Sequence, residues 1–260
     1  MSEQRLKGEL AIVTGSDSGI GQATAIEFAR EGADVVVTYL HDRKGAEHTA
    51  QQVEAAGRRA AVYQLDQRES KNVQRLFQEV KSSIGIPTIL VNSAGIDALG
   101  KMVKDMSDED WEDSIRSDLS GPFYCCREFI RAIDGSGRHG TILNITSVHQ
   151  EIPRAGASGY DAAKGGLRNL TATLALELAQ SNINVNNIAP GMVLTPMNQS
   201  AVDDPKVRAQ QVQSIPMKRA AKPEEIAHVA VFLASEQARY IHGTTVVVDG
   251  ALMLFQGQGA

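Results

Sequence analysis

Thr14-Gly15-Ser16-Asp17-Ser18-Gly19-Ile20-Gly21 stands between a short apolar run, residues 10–13, and a helical pattern that continues to residue 30. Strand, glycine-rich turn and helix in that order bring backbone N–H groups up to a phosphate. Each glycine meets a steric demand. Gly15 permits the tight turn, Gly19 lets backbone approach a pyrophosphate, and Gly21 lets the helix pack close to a sheet. Beyond the turn, a helix N-terminus offers free N–H groups and the positive end of its dipole. Gly15, Asp17, Ser18, Gly19, Ile20 and Gly21 are therefore candidate ligands of a dinucleotide.

Working outward, strand-like runs recur at 10–14, 34–39, 60–65, 88–92, 141–146, 184–189 and 244–248. Several are continuously apolar, as in the Val-Val-Val stretches at 35–37 and 246–248, which suits strands buried on both faces of a parallel sheet. Helical patterns lie between them at 21–30, 43–56, 70–83, 108–133, 159–179 and 223–234. The last opens on Pro223, Glu224 and Glu225, a proline and acids in the first turn. The alternation predicts an α/β fold: a Rossmann-type doubly wound parallel sheet of about seven strands with helices on both faces. No linker, repeat or low-complexity tract divides residues 1–260, so one catalytic domain is expected. Residues 192–215 are polar, carry Pro196 and Pro205, and are expected to form a substrate loop.

Composition excludes several classes. The 260 residues are 42% hydrophobic and 22% charged, ordinary for a globular chain. The net charge of −5 does not suit nucleic acid or an anionic membrane. Adjacent Cys125 and Cys126 fit neither a disulfide nor a C-x-x-C metal or redox pair, and no metal site is expected. No stretch approaches 18 apolar residues, and the polar start MSEQRLKGEL has no signal-like core, so a cytoplasmic location is expected.

A second motif carries chemistry. Tyr160-Asp161-Ala162-Ala163-Lys164 places a phenol and an ammonium at i and i+4, on one helix face. Ser147 lies 13 residues upstream, just past the fifth strand. Free tyrosine, near pKa 10, is too weakly acidic to serve as a base at neutral pH; a neighbouring Lys164 ammonium favours its phenolate. Tyr160 could then take a hydroxyl proton or return one in reduction. Ser147 could align the substrate oxygen.

The G-x-x-x-G-x-G spacing and the Ser147, Tyr160, Lys164 set resemble the classical short-chain dehydrogenase/reductase family over essentially the whole chain. The resemblance implies nicotinamide-dependent hydride transfer between an alcohol and a carbonyl. It implies that Asp66, with Gln67 beside it, holds the adenine, and that Asn92-Ser93-Ala94-Gly95 lets the nucleotide pass close to backbone. Asn92, Ala94 and Gly95 match the family's Asn-Asn-Ala-Gly; Ser93 departs from it. Lys164 would also hold the nicotinamide ribose. Pro190-Gly191-Met192-Val193-Leu194-Thr195 is similar to the family's P-G-x-x-x-T segment, so Pro190, Gly191, Val193 and Thr195 are expected at the nicotinamide amide. Asp118 stands where relatives carry a fourth catalytic residue, asparagine. Its carboxylate accepts the same hydrogen bonds, but its charge stabilises protonated Lys164 and opposes a Tyr160 phenolate. A homotetramer packed through helices 108–133 and 159–179 is also implied.

Dinucleotide folds that prefer NAD usually place a carboxylate at the end of the second strand. That position is Tyr39 here, followed by His41, Asp42, Arg43 and Lys44. Arg43, Lys44 or His41 could accept a 2′-phosphate, which favours NADP over NAD. For the substrate, Ser147-Val148-His149-Gln150-Glu151-Ile152-Pro153, Asn186–Gly191 and the tail Phe255–Gly259 resemble bacterial glucose 1-dehydrogenases. An aldose is the expected small-molecule substrate, with His149, Gln150, Asp97 and Asn198 as polar contacts beside Ser147 and Tyr160. A 3-oxoacyl-carrier-protein or other carbonyl reductase is the alternative, though its acidic partner would find only Arg127, Arg131 and Arg138. A non-catalytic nucleotide-binding protein is the third reading.

Overall fold

The computed structural model describes residues 4–97 and 100–255. The tail resemblance at 256–259 falls outside them. Seven strands form one parallel sheet: β1 (Leu10–Val13), β2 (Asp34–Tyr39), β3 (Ala60–Gln64), β4 (Ile89–Asn92), β5 (Gly140–Ile145), β6 (Ile183–Pro190) and β7 (Thr245–Val248). Their order is β3-β2-β1-β4-β5-β6-β7. The winding reverses between β1 and β4, which opens a crevice at the carboxyl ends of those strands.

Alternating side chains on each strand divide the interior into two layers. Ala11, Val13, Val35 and Val37 pack on Phe28, Val53, Ile226 and Val231. These come from α1 (Gly19–Arg30), α2 (Arg43–Ala55) and the helix 223–234. Leu10, Ile12 and Val36 face the other way, against Phe77, Phe129 and Leu174. Those lie on α3 (Ser70–Ser83) and on the helical stretches 121–133 and 158–178. The expected doubly wound architecture is thus the observed one.

Two segments differ in detail from the pattern reading. The helix expected over 108–133 is α4 (Asp108–Ile115), a π turn (Arg116–Ser120) and α5 (Gly121–Ile133) in one run. Pro122 has no N–H to give to the preceding turn, so the regular ladder cannot pass through it. Helix α6 (Ser158–Leu178) is the expected catalytic helix. The expected loop 192–215 contains two short helices, α7 (Gln199–Asp203) and α8 (Pro205–Gln211). Asp204 starts the second by accepting from Lys206 N at 2.7 Å, with Pro205 at its first position. Helix α9 (Pro223–Ala234) begins where its proline and acids placed it.

One rung of the sheet is polar although its three asparagines are buried. Asn92, Asn144, Asn187 and Thr245 stand in register across β4, β5, β6 and β7. Asn92 Nδ2 donates to Asn144 Oδ1 at 2.7 Å. Asn144 Nδ2 donates to Thr171 Oγ1 at 2.8 Å, and that hydroxyl donates to Asn187 Oδ1 at 2.6 Å. The row ties helix α6 to three strands directly beneath the crevice.

Candidate active site

Tyr160 and Lys164 occupy the first two turns of α6, and Ser147 follows the end of β5. Ser147 and Lys164 are both buried at 6% exposure. Ser147 Oγ accepts from His149 N at 3.1 Å, which fixes the turn that carries it. The Lys164 ammonium lies 5.5 Å from the Tyr160 ring centroid. Asp118, in the π turn, is fully buried. Its Oδ1 is 3.0 Å from Lys164 Nζ and its Oδ2 accepts from Ile96 N at 3.2 Å. Lys164 Nζ also donates to Ile145 O at 3.2 Å. The structure therefore brings Ser147, Tyr160, Lys164 and Asp118 into one cluster at the carboxyl end of β5. No sequence signal marks Ile96 N or Ile145 O, because backbone groups have no residue type.

The electrostatics follow from this packing. Burial pushes the Tyr160 phenol above its ordinary value, Lys164 and a hydrogen bond from Ser147 pull it down, and Asp118 and Asp97 push it up. Burial works against the charge on Lys164, but Asp118 and Tyr160 more than offset it and hold the ammonium charged.

His149 sits beside Tyr160, ring centroids 6.2 Å apart at 74°. Its Nδ1 is 2.9 Å from Ile152 O. A carbonyl can only accept, so Nδ1 carries a hydrogen, and in the neutral ring Nε2 is then the nitrogen with the lone pair. That ring can accept a hydrogen bond from a hydroxyl. Gln150 is buried, donates weakly to Glu151 at 3.3 Å, and its Oε1 has no partner among the described residues. Asp97 is at the surface. Asn198 is engaged as a cap: it accepts from Thr195 N at 3.0 Å and donates to Val193 O at 2.7 Å. It thereby holds the 193–195 segment and has little left for a substrate.

The glycine turn closes against two other segments. A Cβ on Gly15, which has φ +61°, would lie 2.8 Å from Ala94 Cα. One on Gly19, at φ +56°, would lie 3.2 Å from Thr195 Cγ2. A Cβ on Gly21 would run into Gly15 O. Thr14 Oγ1 accepts from Ser93 N and Ala94 N at 3.0 and 3.1 Å, locking the ends of β1 and β4 together. Ser18 precedes α1 in extended conformation and makes no side-chain cap, so the first N–H groups of that helix keep their capacity for an anion. Val193 bridges to Ala221, and a Cβ on Gly191 would meet Asp249 Cβ at 2.8 Å, so the Pro190–Thr195 segment is held from behind. An uncapped helix terminus behind a turn that only glycine can form fits the diphosphate of a nicotinamide dinucleotide.

At the adenosine end the side chains are more committed. Tyr39 ends β2 half-buried. Asp42 Oδ1 caps α2 through Gly45 N at 3.0 Å. Arg43 pairs with Glu47 at 2.8 Å and is 74% exposed, free to swing toward a ligand. Burial raises the Asp17 carboxyl, and the charge of Asp42 adds to it. Asp66 is gripped by Arg68 at 2.9 and 2.8 Å, which holds its carboxyl below the usual range. Gln67 donates to Ala94 O at 3.1 Å and Ser117 O at 2.8 Å. It staples the end of β4 to the π turn, a structural task that its place in the sequence did not suggest. The arginines considered for docking are paired: Arg127 and Arg131 with Glu128, Arg138 with Glu9.

Known proteins resemble the chain over nearly its whole length. A family model described as Enoyl-(Acyl carrier protein) reductase matches residues 15–252. The chain is 41% identical over 252 residues to 3beta-hydroxysteroid dehydrogenase 1 of Eggerthella lenta, covering 97% of this chain and 96% of that protein. It is 38% identical over 255 residues to Glucose 1-dehydrogenase 2 of Bacillus subtilis, covering 97% and 98%. Among solved structures, a candidate 2-deoxy-D-gluconate 3-dehydrogenase of Agrobacterium tumefaciens with bound NADP superposes with TM-score 0.87. It is 31% identical, and the match covers 98% of this chain and 100% of that one.

Proposed function

The chain belongs to the short-chain dehydrogenase/reductase family, and from that premise we propose that it is an aldose dehydrogenase that uses NADP in preference to NAD. Its class is plain: a nicotinamide-dependent oxidoreductase acting between alcohols and carbonyls. A nicotinamide dinucleotide held by the glycine turn and the Pro190–Thr195 segment would supply the hydride chemistry. The protein's own residues handle the proton and the alignment. Tyr160 Oη moves the proton to or from the substrate oxygen. Ser147 Oγ hydrogen-bonds that oxygen and holds it against Tyr160. Lys164 keeps its charge beside the phenol and has N–H capacity left for a ribose hydroxyl. Asp118 fixes Lys164.

The observation that carries the sugar reading is His149. Its tautomer, set by Ile152 O, leaves an acceptor beside Tyr160 where a second hydroxyl of a polyol could bind. The similarity to a glucose 1-dehydrogenase supports the same choice. The NADP reading is supported by Tyr39 in place of a carboxylate, by the exposed Arg43, and by the relative solved with NADP. We place one catalytic domain over 1–260, in the cytoplasm, as a homotetramer through the helical run 108–133 and α6. Exposed Phe123 and Leu176 on those helices support that assembly.

A second reading has its own observation. Met102, Val103, Met197 and Val202, the last on α7, are exposed apolar side chains, and an apolar rim would suit a hydroxysteroid-like alcohol. The test is reduced-nicotinamide absorbance with glucose and with a 3β-hydroxysteroid, each with NADP and NAD. Glucose turnover with NADP supports the first reading, and turnover of the steroid alone replaces it with the second. Tyr160→Phe should abolish turnover while leaving cofactor binding intact.

A further inference from the structure

We propose that Asp118 cancels the charge of Lys164 inside the protein, so that Tyr160 stays a phenol through the neutral range and acts there as a proton donor. The proposal rests on the reading of Tyr160 as the proton-transferring group. It starts from position. Asp118 is fully buried in the π turn and meets Lys164 Nζ at 3.0 Å. Ile96 N–H holds its other oxygen, and Gly95 leaves the room that a side chain there would take from it. The pair carries no net charge whether the shared proton sits on nitrogen or on oxygen.

Lys164 has three protons to place. Ile145 O accepts one at 3.2 Å, and the Asp118 carboxylate lies 3.0 Å from the nitrogen, so the ammonium is engaged on the side away from the crevice. A lone ammonium would draw a phenol's proton off; an ammonium already matched to a carboxylate does so far less. The other groups facing Tyr160 do not restore positive charge. Ser147 is neutral. His149 donates its Nδ1–H to Ile152 O at 2.9 Å. Asp97 adds a second carboxylate, with Arg154 and His149 beside it. Asp161, next on α6, accepts from Arg154 N at 2.8 Å.

The consequence concerns pH and not the reaction's equilibrium, which no enzyme alters. Ketone reduction should stay level from neutral pH into the alkaline range. Alcohol oxidation should climb about tenfold per pH unit over the same range, as the small phenolate fraction grows.

The test reads Tyr160 itself and needs no substrate. Tyrosinate absorbance is titrated in the wild-type protein and in Tyr160→Phe, and the difference isolates Tyr160. The difference should appear only at or above a pH of about 10, the ordinary tyrosine value. Asp118→Asn, which keeps the shape and removes the charge, should lower that midpoint by at least about one unit. A wild-type midpoint more than about one unit below the ordinary value overturns the proposal, and so does an unchanged midpoint in Asp118→Asn. If the asparagine protein does not fold, the wild-type titration decides alone. Failure of the underlying reading looks different: Tyr160→Phe would then turn over substrate normally, whatever the midpoint.

Discussion

Replacing Thr171 by valine keeps the shape of a fully buried side chain and deletes one hydroxyl. That hydroxyl accepts from Asn144 at 2.8 Å and donates to Asn187 at 2.6 Å. Both asparagines are themselves buried, at 0% and 1% exposure, and no water can reach the groups left behind. An unpaired buried polar group costs about 1–3 kcal/mol, so two cost about 2–6 kcal/mol. For a chain of this size each kcal/mol lowers the melting temperature by about 2–4 °C. The midpoint of the row, about 4 kcal/mol, therefore corresponds to a drop of about 8–16 °C. The assay is urea unfolding followed by circular dichroism at one fixed protein concentration, since assembly would shift the midpoint by mass action. Thr171→Ser is the control. It keeps the hydroxyl and loses a buried methyl, which costs about 1 kcal/mol. A valine protein within about 1 kcal/mol of wild type would refute the reasoning, because the row would then be carrying no more than one average hydrogen bond. A valine protein no worse than the serine protein would refute it equally.

Gly21→Ala should abolish cofactor binding, measured by calorimetry, while the far-ultraviolet spectrum is kept, because its Cβ would run into Gly15 O in the phosphate turn; normal binding would separate that turn from the cofactor. Arg43→Ala should raise KM for NADP about tenfold, the value of about 1.4 kcal/mol from a charge-assisted contact, and leave KM for NAD unchanged; equal effects on the two would remove Arg43 from the 2′-phosphate. His149→Phe should raise KM for glucose about tenfold and leave cofactor affinity alone, which competitive binding of NADPH would check. Glu225 is held down to about 2, from 4.5, chiefly by its hydrogen bonds to Arg219. A lowered carboxylate gives stability above its unfolded value and loses it as the pH falls through the folded one. The melting temperature of Glu225→Gln should therefore lie below wild type at neutral pH and converge on it between pH 4.5 and 2; the pair is at the surface, so the gap is small.

The fold was legible because its cause is local. Val35, Val36 and Val37 are buried on both faces, and an apolar run with no alternation is what such a strand needs. Pro223 with Glu224 and Glu225 announced a helix start that is there. Other boundaries were not legible. Helix α1 begins at Gly19 and not Gly21, since an extended Ser18 ends the turn sooner than the glycine spacing suggests. The π turn leaves the apolar period of 108–133 almost untouched, and only Pro122 hints at it. Asp204-Pro205 is a helix-start signal inside a segment read as loop because its overall polarity outweighed that dipeptide.

At the site, legibility follows the kind of atom involved. Side chains with a job fixed by chemistry can be read: Tyr160 and Lys164 must share a face, and i, i+4 says that they do. Backbone partners cannot be read, yet Ile145 O and Ile96 N decide how many protons Lys164 has left and how Asp118 is held. Polar side chains on loops are the hardest case. Gln67, Asn198, Gln150 and His149 looked alike as candidates for ligand contact. Asn198 spends its whole amide on backbone, at Thr195 and Val193, and Gln67 spends its Nε2 at Ala94 and Ser117 while its Oε1 has no partner among the described residues. Gln150 retains an unpartnered oxygen, and His149 retains a lone pair whose availability follows from a carbonyl that can only accept. A polar residue near a crevice becomes a substrate contact by what it has not already bonded to, and that remainder exists only in three dimensions. Hence the reaction class could be argued from residue types and spacing, whereas the argument for a sugar turns on one imidazole nitrogen.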